Sequence, residues 1–103
     1  MASILLPDTG TDIREDSHVE LIPRYKIIYL NDDLTTMDFV VKTLIMVFKK
    51  DKMTAVRLML EVHHNGAAVV DVLPLEQAEL RQQQTHSMAQ KEGYPLRCII
   101  EPV

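Results

Sequence analysis

Dense apolar runs and apolar positions at helical spacing follow one another along the chain, and each change marks an element. Tyr25-Lys26-Ile27-Ile28-Tyr29-Leu30 is dense in β-branched and aromatic side chains, which predicts a strand over 25–30. Asn31-Asp32-Asp33 interrupts it, because short polar side chains compete with a strand ladder for backbone partners. Thr35, with Asp38 three residues on, makes a capping pattern. Met37, Val40, Val41, Leu44, Val47 and Phe48 then fall at helical spacing and predict a helix over about 36–49. Asp51 is a good N-cap for a second helix with the apolar face Ala55, Leu58, Met59 and Val62. Asn65-Gly66 stops that helix, Gly66 suiting the left-handed position past its end.

Ala68-Val69-Val70-Asp71-Val72-Leu73 reads as a second strand. Pro74 is tolerated where a third helix, about 75–91, begins. That helix is polar, with Gln82, Gln83 and Gln84 in a row and only a thin face of Leu75, Ala78, Thr85, Met88 and Ala89 to lay on a sheet. Gly93 and Pro95 end it, and Leu96 to Ile100 forms the last strand. The order is β-α-α-β-α-β. Three helices on one face of a small, mainly antiparallel three-stranded sheet make an α+β sandwich.

The composition narrows the function classes. At 103 residues and 47% hydrophobic content the chain supports one core and one domain. The net charge of −4 and the absence of a Lys/Arg stripe disfavour nucleic-acid binding, whose affinity comes largely from neutralising phosphates. The charge is uneven. Asp8, Asp12, Glu15, Asp16 and Glu20 against Arg14 and Arg24 give residues 1–24 a net of −3, and they lack sustained periodicity. This predicts a flexible acidic extension over 1–24 ahead of a folded domain over 25–103. The lone Cys98 cannot form an internal bridge and suits a reducing compartment. No apolar run approaches the length of a membrane span, and no secretion signal is visible, so a cytoplasmic monomer is expected.

Two constellations carry candidate chemistry. Asn31-Asp32-Asp33 closes a strand and is followed by Thr35 and Met37 at a helix start. Met59, Val62 and His63 share one face near the end of the second helix, being three and four apart. If the first two helices pack antiparallel, these groups converge at one edge of the domain. An acceptor-rich rim beside an apolar cup suits a ligand that carries a cation next to a hydrophobic group. The same residues are also compatible with a plain turn, core gap-filling methionines and surface histidines. Metal binding is not expected: adjacent His63 and His64 should point to different faces, and Cys98 is isolated, with no histidine expected beside it. An acid–base pair of Asp32 and His63 has no oxyanion site to accompany it, and three glycines make no phosphate loop.

The strings RYKIIYLNDDLTTMDFVVKTL, AVRLMLEVHHNG and EGYPLRCIIE strongly resemble the ClpS family of adaptors, over about residues 24–101. NDD-x-T-x-M-[DE]-F-V, M-L-x-V-H and P-L-x-C occur in order and at family spacing. The resemblance implies a non-enzymatic adaptor without cofactor or metal. It implies binding of the free N-terminal Leu, Phe, Tyr or Trp of N-end rule substrates, and their delivery to the N-domain of the ClpA or ClpC unfoldase of the ATP-dependent Clp protease. By the same resemblance, Asn31, Asp32 and His63 hold the substrate's α-amino group. Asp33, Thr35, Met37, Val40, Met59, Val62 and Leu96 wall its side-chain pocket, with Met37 as the gate against β-branched residues. His63, Glu76 and Arg81 face the unfoldase, and the acidic extension engages its pore. Arg81 stands where the family has Lys, Leu34 where many members have Tyr, and Thr36 where many have Pro. Alternative readings are an unfoldase modulator that carries no cargo and a structural interaction module such as a stalk-type ribosomal domain.

Overall fold

A computed structural model describes residues 22–103. Its elements are strand β1 (Arg24–Leu30), helix α1 (Met37–Met46), helix α2 (Lys52–Asn65), strand β2 (Ala67–Pro74), helix α3 (Leu75–Glu92) and strand β3 (Arg97–Pro102). The expected order β-α-α-β-α-β and the α+β class are both found. β1 is the central strand of the sheet β2-β1-β3 and pairs antiparallel with both neighbours. Residues 1–21, which hold most of the expected acidic extension, lie outside the described residues, and β1 begins at Arg24, paired with Pro74.

Alternation along β1 builds the core. Ile27 and Tyr29 are fully buried on one face, with Cys98 opposite Tyr29 and Ile100 opposite Ile27. The β1–β2 ladder slips between Ile27 and Ile28: Ile27 pairs with Asp71 and Ile28 with Val69. This bulge leaves Val70 as the extra residue, buried in the core. Asp71 next to it ion-pairs with Lys50 at 3.5 Å, which ties the α1–α2 corner to the sheet.

Tyr29 carries a polar atom into that core. Its hydroxyl lies 2.8 Å from Thr43 Oγ1, and Thr43 Oγ1 donates to the Val40 carbonyl at 2.8 Å. Burial raises the Tyr29 phenol far above its ordinary value despite hydrogen bonds with Thr43 and Thr85. The hydroxyl is therefore a neutral, satisfied core group.

Three sequence expectations change in detail. The cap of α1 is Thr36, whose side chain accepts from the Phe39 N–H at 3.2 Å; Thr35, expected to open the helix, is bound to Asp32 instead. The helix stops at Met46 rather than near 49, because the chain must reverse before Asp51, and Lys49 takes the left-handed conformation (φ 59) in that corner. Leu75, expected on the sheet-facing side of α3, is exposed at the strand-to-helix junction, and Ala78, Thr85 and Ala89 make the close contact. Asp51 does cap α2, accepting from the Thr54 N–H, and Gly66 ends it at φ 86 as expected.

Candidate functional site

The turn after β1 is built around one carboxylate. Asp32 Oδ1 accepts from the Leu34 N–H at 2.8 Å and the Thr35 N–H at 2.7 Å, and Oδ2 accepts from Thr35 Oγ1 at 2.8 Å. Partial desolvation works against the charge, but the hydrogen bonds from Thr35 and Leu34 outweigh it and hold the carboxyl below its ordinary range. Asp32 is thus an anion near neutral pH, locked in position by its own loop, with lone pairs left for a further donor.

The preceding residue fixes where that anion sits. The Asn31 N–H donates to the Gly66 carbonyl at 2.9 Å. This bond joins the end of β1 to the end of α2, so the Asn31–Asp32 turn and the last turn of α2, which holds His63, lie at one edge of the domain. The Asn31 and His63 side chains are both exposed there. The His63 and His64 rings, expected on different faces, meet edge to face with centroids 5.3 Å apart.

The apolar residues of the expected pocket divide by burial. Val40, Val62 and Leu96 belong to the buried core, at 7%, 3% and 4% exposure. Met59 is half-buried against that core, while Met37 is 44% exposed at the first position of α1. Both thioethers are flexible and at least partly accessible, so they can adapt to apolar groups of different shape. Asp33 is exposed, and Thr35 is half-buried with its hydroxyl proton committed to Asp32.

Sequence reasoning missed several contributors. Phe39 meets Tyr94 with the rings tilted and 4.9 Å between centroids, which packs the start of α1 against the segment leading to Leu96. The Gly66 carbonyl that receives Asn31 is a backbone group and has no side-chain signature. A histidine does stand beside Cys98: the Cys98 N–H donates to His86 Nε2 at 3.0 Å. Burial pushes the Cys98 thiol up to about 12, partly offset by a hydrogen bond with Thr85, so it is protonated and a poor nucleophile.

The remaining expected residues lie on α3. Glu76 is exposed in the first turn, and Arg81 is half-buried with Nη1 3.3 Å from Gln84 Oε1. Glu76 follows the end of β2 far from the Asn31 edge, eight strand residues covering about 23 Å. A recess of about 740 Å³ lies on the outer face of α2 between Lys52, Met53, Val56, Arg57, Leu60, Glu61, His64 and Asn65. A smaller recess between α1 and α2 includes Met59 in its lining. Among the described residues no helix is long and apolar enough to cross a membrane, and no group of three His, Cys, Asp or Glu side chains converges as a metal site would need.

Comparison with known proteins agrees with this architecture. Residues 21–99 match the family model described as ATP-dependent Clp protease adaptor protein ClpS. The ATP-dependent Clp protease adapter protein ClpS of Nautilia profundicola is 40% identical over 95 residues, covering 92% of this chain and 98% of the relative. That of Wolinella succinogenes is 42% identical over 94 residues, covering 91% of this chain and 92% of the relative. In three dimensions the chain is similar to Agrobacterium tumefaciens ClpS2, solved bound to L-phenylalaninamide, with a TM-score of 0.77, 34% identity and coverage of 80% of this chain and 99% of that one. By fold and by sequence, the chain belongs to the ClpS family of Clp protease adaptors.

Proposed function

We propose that this adaptor binds the first residue of protein chains that begin with Leu, Phe, Tyr or Trp and bear a free α-amino group, and delivers them to the ClpA or ClpC unfoldase of the Clp protease. The reading rests on one observation above the others. The Asn31–Gly66 hydrogen bond of 2.9 Å brings a loop-locked carboxylate and the His63 end of α2 to the same edge, and the expected pocket residues Val40, Val62 and Leu96 are buried in the core. The solved relative's ligand, L-phenylalaninamide, combines an α-amino group with a bulky ring, which is the chemistry such an edge accepts.

Charge and apolar bulk must act together. Burying a large apolar side chain yields about 1.5–3 kcal/mol. Each good charge-assisted contact of an ammonium with Asn31, Asp32 or a neutral His63 adds roughly 1.5–3 kcal/mol. After rigid-body entropy is deducted, binding near about −8 kcal/mol, a micromolar dissociation constant, is expected. Neither half suffices alone, so internal residues and acetylated termini are rejected. His63, Glu76 and Arg81 offer the polar contacts for the unfoldase.

Fluorescence anisotropy with peptides that differ only in residue one, each with a free or an acetylated amine, tests the reading. Free Leu, Phe, Tyr and Trp peptides should bind, and their acetylated forms and Gly- or Asp-first peptides should not. Indifference to acetylation, or no binding of any peptide, overturns it; the latter favours a modulator that carries no cargo.

A further inference from the structure

β3 is an edge strand: it pairs with β1 on one side only. At Cys98 both backbone polar groups point away from β1 and toward α3. The Cys98 N–H donates to His86 Nε2 at 3.0 Å, and Gln82 Nε2 donates to the Cys98 carbonyl at 2.8 Å. Gln82 and His86 are four residues apart on α3 and so share one face. Together they present a donor and an acceptor with the spacing a neighbouring strand would offer, and they occupy the edge that would otherwise be open. The chemistry fixes both assignments. A backbone N–H only donates, so His86 Nε2 is unprotonated and the ring is neutral with its proton on Nδ1. A carbonyl only accepts, so Gln82 must present its amide NH₂.

The clamp lies two residues beyond Leu96, the buried wall of the proposed pocket. The segment from Gly93 to Cys98 is pinned at its other end as well. The Tyr94 N–H donates to the Ala89 carbonyl at 2.9 Å, and the Tyr94 ring packs on Phe39. Leu96 therefore hangs between two anchors: a helix end with an aromatic contact to α1, and the Gln82–His86 pair. The polar run of α3, which serves no purpose on a solvated face, acquires one through Gln82.

We propose that Gln82 and His86 are positioning residues of the binding site, clamping Cys98 so that Leu96 is held at the depth that sets which first residues fit. This rests on the first-residue reading above. Without the clamp, the wall is free to shift, and the site should accept large side chains with less discrimination among them.

The experiment uses the full chain and three variants. Gln82→Met keeps the side-chain volume and removes the donor. His86→Ala removes the acceptor. His86→Gln retains an acceptor oxygen on a side chain able to reach the Cys98 N–H. Three quantities are read: exchange of the Cys98 amide hydrogen by NMR, the imidazole ¹⁵N shifts of His86, and the affinity ratios among Leu-, Phe- and Trp-first peptides. The parent should show the Nδ1–H tautomer and slow Cys98 exchange. His86→Ala should exchange Cys98 at least tenfold faster and compress the affinity ratios at least threefold. Gln82→Met should compress the ratios in the same way, and His86→Gln should restore both exchange and ratios toward the parent.

A clamp without influence on the pocket appears as fast Cys98 exchange with parental ratios, which overturns the proposal. Loss of affinity by one common factor for all peptides, with ratios unchanged, also overturns it, since general destabilisation acts that way. If the parent ranks no peptides at all, the first-residue reading itself has failed, an outcome distinct from a parent that ranks peptides and variants that rank them identically.

Discussion

The recess on the outer face of α2 and the edge formed by Asn31, Asp32 and His63 differ in every respect that matters for recognition. The first is roomy, about 740 Å³, and its walls include Met53 at 83% exposure and Leu60 at 41%. Its charged groups are long side chains at the surface, and Arg57 and Glu61 lean on one another at 3.8 Å across open solvent. At the second, the carboxylate is held by three hydrogen bonds from its own loop and the backbone is bonded to the end of the facing helix. Volume measures how much apolar surface a guest can cover. Preorganised charge decides which guest is chosen, because the cost of orienting the acceptor has been met by the fold before the guest arrives. Recognition is therefore proposed for the second place.

The most severe way to break this contrast is to remove the charge while keeping the turn. Asp32→Asn retains an oxygen for the Leu34 and Thr35 N–H groups, and it should weaken binding of a free-amine Phe-first peptide by about 10–100-fold, the equivalent of roughly 1.5–3 kcal/mol. An unchanged anisotropy isotherm would release Asp32 from the ammonium role.

His63→Ala comes next, with an expected loss of about tenfold. The Asp32 carboxyl lies below its ordinary range, so it stays ionised as the solution is acidified through mildly acid values. The same shift has a stability consequence. A carboxyl depressed in the folded state contributes stability that is complete above its unfolded value, about 3.9, and is lost as pH drops through the lower folded value. Acid titration of the fold by circular dichroism should show this loss reduced in Asp32→Asn.

A subtler change is expected at the mouth of the cup. Met37→Ala should admit Ile- and Val-first peptides that the parent refuses, while costing Leu- and Phe-first peptides only a few-fold in affinity; unchanged discrimination would remove Met37 from the gate. Least of all should happen at the outer recess, where Leu60→Gln alters an exposed residue on the far side of α2. Peptide affinity there should stay within about twofold, as surface changes away from a site usually do.

Much of this was legible in the residues. Runs of β-branched and apolar residues located the strands of the described region, and apolar positions at helical spacing located its helices. Asp51 and Gly66 declared the ends of α2 because one accepts an orphan N–H and the other tolerates φ 86. What could not be read were contacts between segments distant in sequence. Thr35 and Thr36 are chemically alike and adjacent, so only the folded turn decides that one binds Asp32 and the other caps α1. The bond from Asn31 to the Gly66 carbonyl and those from Gln82 and His86 to Cys98 involve backbone groups, which every residue carries and no sequence distinguishes. The residue types at the site were visible; the atoms that hold them in place were not.

Amide chemical-shift mapping during titration with a free-amine Leu-first peptide tests the central claim most directly. The account predicts that the largest shifts fall on residues 31–40, 62–66 and 94–98, that they saturate at micromolar concentration, and that the acetylated peptide produces none. Shifts concentrated on Met53, Val56, Arg57 and Leu60, or equal shifts from both peptides, would contradict it.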